Sequence, residues 1–515
     1  MKKVLTLCMA LILVLTAAVT MLASCGGGNT PSDDTNKPVG GGNTDSSERI
    51  PLDVPEKYYE VDGEKTQYHI LEWAAGGQNT PGQSWIPWEE GDVETEDGDM
   101  LGSAVFRRNA WVEQEFGVEI TKEYASVEIA PTFKTRVTNN ASTSANEFQL
   151  ITLRTLNIIE LIQEDLYLDM NLYSDILHTN QPWWVKDAVT SFTLGSHLYV
   201  ASTELLLRDK GATSTLYFNQ YMARDYEDDL PNFFELVDNK EWTIERMIDA
   251  CEIVAHPNDG DDELNSTDDV WGIVGGDDPV YYLYNAFGYK FAHIDEFGYI
   301  EYDYGFNPET ITVMQDIFLN VMYADFYFNN YVMSDLLEEG QNVFVQGNSL
   351  FYSSMVKDTT TRMKNMEDLY GILPHPMLDE DQEDYSSLVW VHHDASLGIP
   401  AHVSDPEMCA IILEALSWES YYTVFPVFYE TILLNRAAKD EDSKRMLEVV
   451  FGARSYDPGQ YYDSGSNASG LHGNDGLLRL TTKGTYDIAG MWAGFRGVVE
   501  ANMQEDNNWI AGNED

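Results

Sequence analysis

Residues 101–124 read LGSAVFRRNAWVEQEFGVEITKEY. Ala104, Phe106, Ala110, Trp111 and Phe116 recur at near-helical spacing, which predicts an amphipathic helix facing a core. Gly117 stops it, and a strand begins at Val118. The same alternation extends to both sides. A strand, QYHILEWAA, runs from Gln67 to Ala75, and EFQLITL (147–153) is a short buried strand running into the helical RTLNIIELIQED (154–165). Strand, helix, strand and helix in succession point to a parallel sheet with helices on its faces, hence the α/β class.

The pattern renews further on. TSTLYF (213–218) reads as a strand and EWTIERMIDACEIVAHP (241–257) as an amphipathic helix, with Thr243 as N-cap and Ile244, Met247, Ile248, Cys251 and Val254 inward. PETITVMQDIFLNVMY (308–323) is helical, FVQGNSLFYSS (344–354) is a helix end, a glycine and a strand, and DLYGILPHP and SLGIP are short strands. SDPEMCAIILEALSWESYY (404–422) is a helix with Pro406 in its first turn and Asp405 or Ser404 as cap. No tandem repeat is visible, which sets aside solenoids and propellers.

The N-terminus is organised differently. Lys2 and Lys3 precede an almost wholly apolar run from Val4 to Leu22, and small residues follow. That order is an export signal over residues 1–24. Leu22-Ala23-Ser24-Cys25 resembles the lipobox of bacterial lipoproteins, in which the cysteine thiol receives diacylglycerol, the peptide is cut before it and the new amine is acylated, commonly with palmitate. Residues 25–50 then form a flexible linker of Gly, Ser, Thr, Asn and Asp, with a reach of roughly 25–30 Å. The expectation is a folded body tethered at the extracellular face of a cell membrane, touching it only through the anchor.

The 515 residues include 86 acidic and 30 basic side chains, for a net charge of −56. Such a surface repels nucleic acid and anionic head groups, so neither is expected as a partner. The body is too long for one core. Of the cysteines left after processing, Cys251 and Cys409 lie on apolar stripes of predicted helices, where buried thiols are expected. No zinc-type spacing occurs, and no metal or cofactor is called for.

STLYFNQYM followed by VDNKEWTIERMIDAC resembles the extracellular solute-binding proteins of ABC importers, in the sugar-binding family 1 group. So do DDVWGIVG, FVQGNSLFYSS, DLYGILPHPMLDEDQEDY, SLGIPAHVSDPEMCAIILEAL and PVFYETILLNRAAKDEDSKRML. The resemblance covers about residues 65 to 460. It implies a two-lobed periplasmic-binding-protein-like fold of type II with a hinge between the lobes. Residues 51–205 plus 397–455 would form lobe one, and 206–396 plus 456–515 lobe two. A monomer would hold a mono- or oligosaccharide in the cleft and pass it to ABC permease subunits.

Sugars present apolar C–H faces ringed by hydroxyls, which indole rings cover and carboxylates or amides bond. Ligands in open α/β sheets sit beyond the carboxyl ends of strands. Trp85, Trp88, Glu89 and Asp92, in the loop after the first strand, suit that chemistry. Arg154 directly follows QLITL. Tyr217 and Asn219 lie near the first crossing between lobes, and Tyr352 follows GNSLF. Trp390, His392 and Asp394 precede the second crossing, and Trp492 is a C-terminal candidate. Trp183, Trp184 and Trp242 are expected to pack instead, and Trp271 is open between core and cleft.

The competing reading is a lipid-anchored glycan hydrolase, which needs a carboxylate pair; no local signature marks one. GNSLFYS is not a G-x-S-x-G nucleophile elbow. The run His392-His393-Asp394 lacks a nearby third ligand. HPNDGDDELNSTDD (256–269) fails the EF-hand pattern, because Ala255 and Pro257 would fall at its first and third positions.

Overall fold

The computed structural model describes residues 49–74, 93, 96, 99–126, 135–139, 146–258, 260, 263–336, 342–364, 366–432, 441–462 and 487–513. The export segment, Cys25 and the loop with Trp85, Trp88, Glu89 and Asp92 lie outside the described residues. The strands of the two larger sheets are β1 (Thr66–Ala74), β2 (Val118–Ser126), β3 (Leu150–Leu153), β4 (Ser214–Asn219), β5 (Trp271–Gly275), β6 (Tyr327–Asn329), β7 (Ser349–Met355), β8 (Tyr370–Leu373) and β9 (Ser396–Gly398). The first sheet has the order β9-β3-β1-β2 and the second β6-β5-β7-β4-β8. β1 runs parallel to β2 and β3; β9 is antiparallel to β3. In the second sheet β6, β5 and β7 are mutually parallel, while β4 opposes β7 and β8. Every residue of β3, β4, β5, β7 and β8 is buried, the mark of a sheet covered on both faces.

The helix of the opening stretch, α1 (Met100–Phe116), starts where the Asp99 carboxylate accepts from the Gly102 N–H and ends at Gly117, φ +69°. Its inner face differs from the expected one. Leu101, Ala104, Val105, Arg108, Asn109, Val112 and Phe116 are buried, whereas Phe106 and Trp111 are half-buried and Ala110 exposed. A polar pair can go inward because its bonds are made there. Arg108 donates to Asn109 Oδ1 through Nε (2.9 Å) and Nη2 (2.8 Å), and to Ser420 Oγ through Nη1 (3.2 Å).

Helix α2 (Ile244–Val254) buries Met247, Ala250, Cys251 and Val254. It lies directly on β5: a Cβ at Gly272 would come within 2.5 Å of Cys251 Cβ, so only glycine permits this approach. Helix α3 (Pro279–Ala286) carries its proline at the N-terminus, and α4 (Pro406–Glu419) is capped by Asp405, whose carboxylate accepts from Met408 N. Cys251 and Cys409 are free, buried thiols. Helix α5 (Glu441–Gly452) falls in the stretch 397–455 expected with the first sheet, yet it packs on β8 of the second. Its Leu447, Val450 and Phe451 share an apolar cluster with Tyr370 and Ile372. Among the described residues no helix is long and apolar enough to cross a membrane.

Three backbone stretches run side by side where the chain passes between the sheets. Trp390 N–H donates to Ala212 O (2.9 Å), Val389 N–H to Ser455 O (2.9 Å) and Ser387 N–H to Ala453 O (2.8 Å). Beside them lies a buried ionic network. Arg454 donates to Glu204 Oε1 (2.9 Å) and Asp209 Oδ2 (3.0 Å), and Lys210 Nζ pairs with Glu204 Oε2 (2.9 Å). Ser202 and Tyr456 hydroxyls complete the shell of Asp209 at 2.9 and 3.1 Å. Burial works against the Arg454 charge, but Glu204 and Asp209 outweigh it and raise its pKa. Removing one partner leaves the others charged, buried and short of a counter-ion. Arg454→Met should therefore destabilise the fold by about 3–5 kcal/mol, read from urea unfolding midpoints.

Candidate functional site

In the second sheet, the carboxyl ends of β5, β6 and β7 open on a cavity of about 510 Å³. This is the side of an α/β sheet on which ligands bind, and the volume falls within the usual range for small-molecule sites. After β5 come Gly276, Asp278, Pro279 and Tyr282; after β6, Asn330 and Tyr331; from β7 and its continuation, Tyr352, Ser353, Ser354, Met355, Lys357 and Arg362. Asn342 and Val345 add to the wall, and Trp390, His392 and His393 close it from the crossing segment. Aromatic side chains thus stand beside amides, hydroxyls and charges.

Tyr352 is held firmly. Its hydroxyl donates to Asp358 Oδ2 (2.7 Å) and accepts from Arg362 Nη1 (2.9 Å). Ser354 and Thr361 also donate to Asp358, at 2.6 and 3.1 Å. Burial raises the Asp358 pKa, but Arg362, Lys357 and these hydroxyls outweigh it, leaving the carboxyl below its usual range. At Asp278, burial and then neighbouring Asp277 outweigh Lys357, Arg362 and the Tyr282 hydroxyl and push the carboxyl up to about 6. Burial lowers the Lys357 pKa against the pull of Asp358. Trp390 is buried against Tyr281 (centroids 5.0 Å apart) and His392 (4.9 Å).

Of the residues expected at a ligand, Tyr352, Trp390 and His392 line this cavity. Arg154 reaches its edge from the first sheet, donating to His392 Nδ1 and, at 3.4 Å, to Val391 O. The other candidates among the described residues sit elsewhere. Tyr217 is fully buried between Tyr352 and Tyr370, its hydroxyl bonded to Met355 O. Asn219 caps the helix Gln220–Asp225 and donates to Asp368. Trp492 packs on Tyr304 and Phe306, over Gly305. Asp394 lies buried, accepting from Thr155 Oγ1 (2.8 Å) and Tyr461 O–H (3.0 Å).

The packing tryptophans have structural partners. Trp183 and Trp184 both donate to the buried Glu414 (2.8 and 2.9 Å), Trp242 donates to Pro374 O, and Trp271 packs on Phe328. In the acidic loop the Asp269 carboxylate accepts from the backbone N–H groups of Asn258, Asn265 and Ser266. Among the described residues no group of three or more His, Cys, Asp or Glu could hold a metal ion. Sequence reasoning missed Asp278, Asn330, Tyr331, Lys357, Arg362 and His393. Applying the strand-end rule to GIVGGDDP and YFNNY would have found the first three.

Among solved structures the chain is similar to the ABC substrate-binding protein Lmo0181 from Listeria monocytogenes in complex with cycloalternan, with 10% identity over 86% of this chain and 100% of that one, TM-score 0.50. It is also similar to a cyclo/maltodextrin-binding protein complexed with maltotetraose, with 12% identity over 87% of this chain and 98% of that one, TM-score 0.52. No family model matches the chain, and no curated protein matches it. These likenesses establish the fold: a two-lobed α/β periplasmic-binding-protein architecture.

Burial, only partly offset by Thr155, Tyr461 and Arg154, pushes Asp394 up to about 8. Its folded pKa is thus above the unfolded value near 3.9. The folded state then holds a proton that the unfolded chain has lost, so this group's stabilisation is complete below about pH 4 and is lost as pH rises through about 8. Asp394→Asn, which keeps an acceptor for both hydroxyls, should flatten that fall when unfolding midpoints are compared across this range.

Proposed function

We propose that this chain is the capture subunit of an ABC importer, binding a mono- or oligosaccharide between its two lobes and delivering it unchanged to permease subunits. The observation that carries the reading is the cavity at the strand ends, where Tyr282, Tyr331, Tyr352 and Trp390 stand among Asp278, Asn330, Asn342 and Arg362. Apolar rings and convergent polar groups are what a sugar's two kinds of surface require. The fold supports the reading as well, since its solved neighbours include proteins bound to cycloalternan and maltotetraose. Closure of the lobes would follow from differential affinity: ligand that touches both lobes only when they meet stabilises the closed form. The lipobox-like Leu22-Ala23-Ser24-Cys25 supports a lipid anchor at the extracellular face of the cell membrane.

A thermal-shift screen against mono- and oligosaccharides, with product analysis of each mixture, tests the binding. A ligand at 100 times its Kd should stabilise by about 2.7 kcal/mol and be recovered intact; turnover would favour the hydrolase. Tyr331→Ala, at a ring 54% exposed on the cavity wall, should weaken binding about tenfold in calorimetry. Cys25→Ser should release the protein from the membrane fraction into the medium.

A further inference from the structure

We propose that the cavity selects an acidic saccharide, one bearing a uronate-type carboxylate; this rests on the sugar-binding reading above and narrows its ligand class. The first observation is an inversion of charge. Acidic residues outnumber basic ones 86 to 30 in the chain. Yet among the described residues that line the cavity, the cations Lys357 and Arg362 stand against one carboxyl, Asp278. Arg154 adds a further cation directly behind His392.

The second observation is how these cations are held. Asp358, an acid behind the wall, does not face the cavity as a free acceptor: it is 1% exposed, and Tyr352, Ser354 and Thr361 donate to it. Arg362 stands 3.6 Å from it, with its own side chain 50% exposed. Asp358 therefore anchors one end of the guanidinium, and the rest of the fork stays accessible. A planar fork of donors fits a carboxylate with two parallel hydrogen bonds. Lys357 is 3% exposed, so its stem is fixed by packing and its position is set in advance of binding. Burial first, and then the neighbouring Lys357, His392, Arg154 and Arg362, depress the His393 pKa, so that imidazole is a neutral hydrogen-bonding group beside the cations.

A protein with net charge −56 repels anions at long range. Cations in the pocket offset that repulsion for a charged sugar, an offset that a neutral sugar does not need. Asp278 has a complementary task, since a carboxyl there can accept from a ring hydroxyl.

The test is calorimetry on the full-length protein with digalacturonate, its carboxyl-reduced neutral counterpart and a sulfated disaccharide. The expected result is digalacturonate bound at least about tenfold more tightly than the neutral sugar, with the ratio shrinking in about 0.5 M salt. Arg362→Gln should collapse that ratio to within about threefold; should this variant unfold, Lys357→Met is the second reading. Equal or tighter binding of the neutral sugar overturns the acidic-ligand assignment and leaves sugar capture standing. Tighter binding of the sulfated sugar overturns the carboxylate assignment. A ratio unmoved in both variants overturns the role of this cluster. Silence with every saccharide overturns this inference together with the sugar-binding reading.

Discussion

Arg454 has to be where it is because two carboxylates are buried with it. Glu204 and Asp209 are almost wholly out of water, and Lys210 lies beside them equally buried. Charges so placed are tolerated only in pairs of good geometry. Glu204 to Lys210 belong to the chain leaving the first sheet, and Arg454 to the chain that runs against residues 387–389. Satisfying the ion pairs therefore fixes two backbone stretches relative to each other, and the hydrogen bonds of Ser387 and Val389 to Ala453 and Ser455 tie on the third. An apolar core could pack these stretches in several registers, whereas paired charges accept one.

From that fixed crossing the cavity follows. Val389 and Trp390 hydrogen-bond to Ser455 and Ala212, which sets where His392 and His393 emerge. The parallel run of β6, β5 and β7 brings three strand ends to one place, and the loops that leave them supply the opposite wall. A parallel arrangement matters because antiparallel neighbours would have sent every second loop to the far side. The antiparallel β4 does so, whereas β8, antiparallel to β4, runs with β7; Tyr217 and Asn219, which β4 carries, are spent on core packing and a helix cap.

The fold was legible because its elements are strongly patterned. Period, stop and restart in residues 101–124 mark helix, glycine and strand, and Pro406 behind Asp405 marks a helix start. The inner face of α1 was not legible: periodicity assumes that apolar residues go inward, and Arg108 is buried because Asn109 and Ser420 receive it. Those partners are set by tertiary packing, Ser420 being far away in sequence. The site was legible only in part for a related reason. Trp390, His392 and Tyr352 sit in segments flanking recognisable strands. Lys357 and Arg362 sit in a turn whose role depends on Asp358, and a lone Lys-Asp in sequence reads as surface. Trp492 looked like a cleft residue by its chemistry, but Tyr304, Phe306 and Gly305 form a slot for its ring.

One contact joins the two themes. Arg154 leaves the end of β3 in the first sheet and meets His392, a residue of the cavity wall, with Val391 O beside it. Burial lowers the Arg154 pKa, and Asp394 opposes the shift. Arg154 thus carries the first sheet's charge to a cavity built mainly from the second, and it does so next to the crossing on which any hinge motion must turn. An anion drawn toward Lys357 and Arg362 would also feel Arg154 across His392. Its attraction is then shared between residues of both sheets, which is the differential contact that lobe closure on a ligand requires.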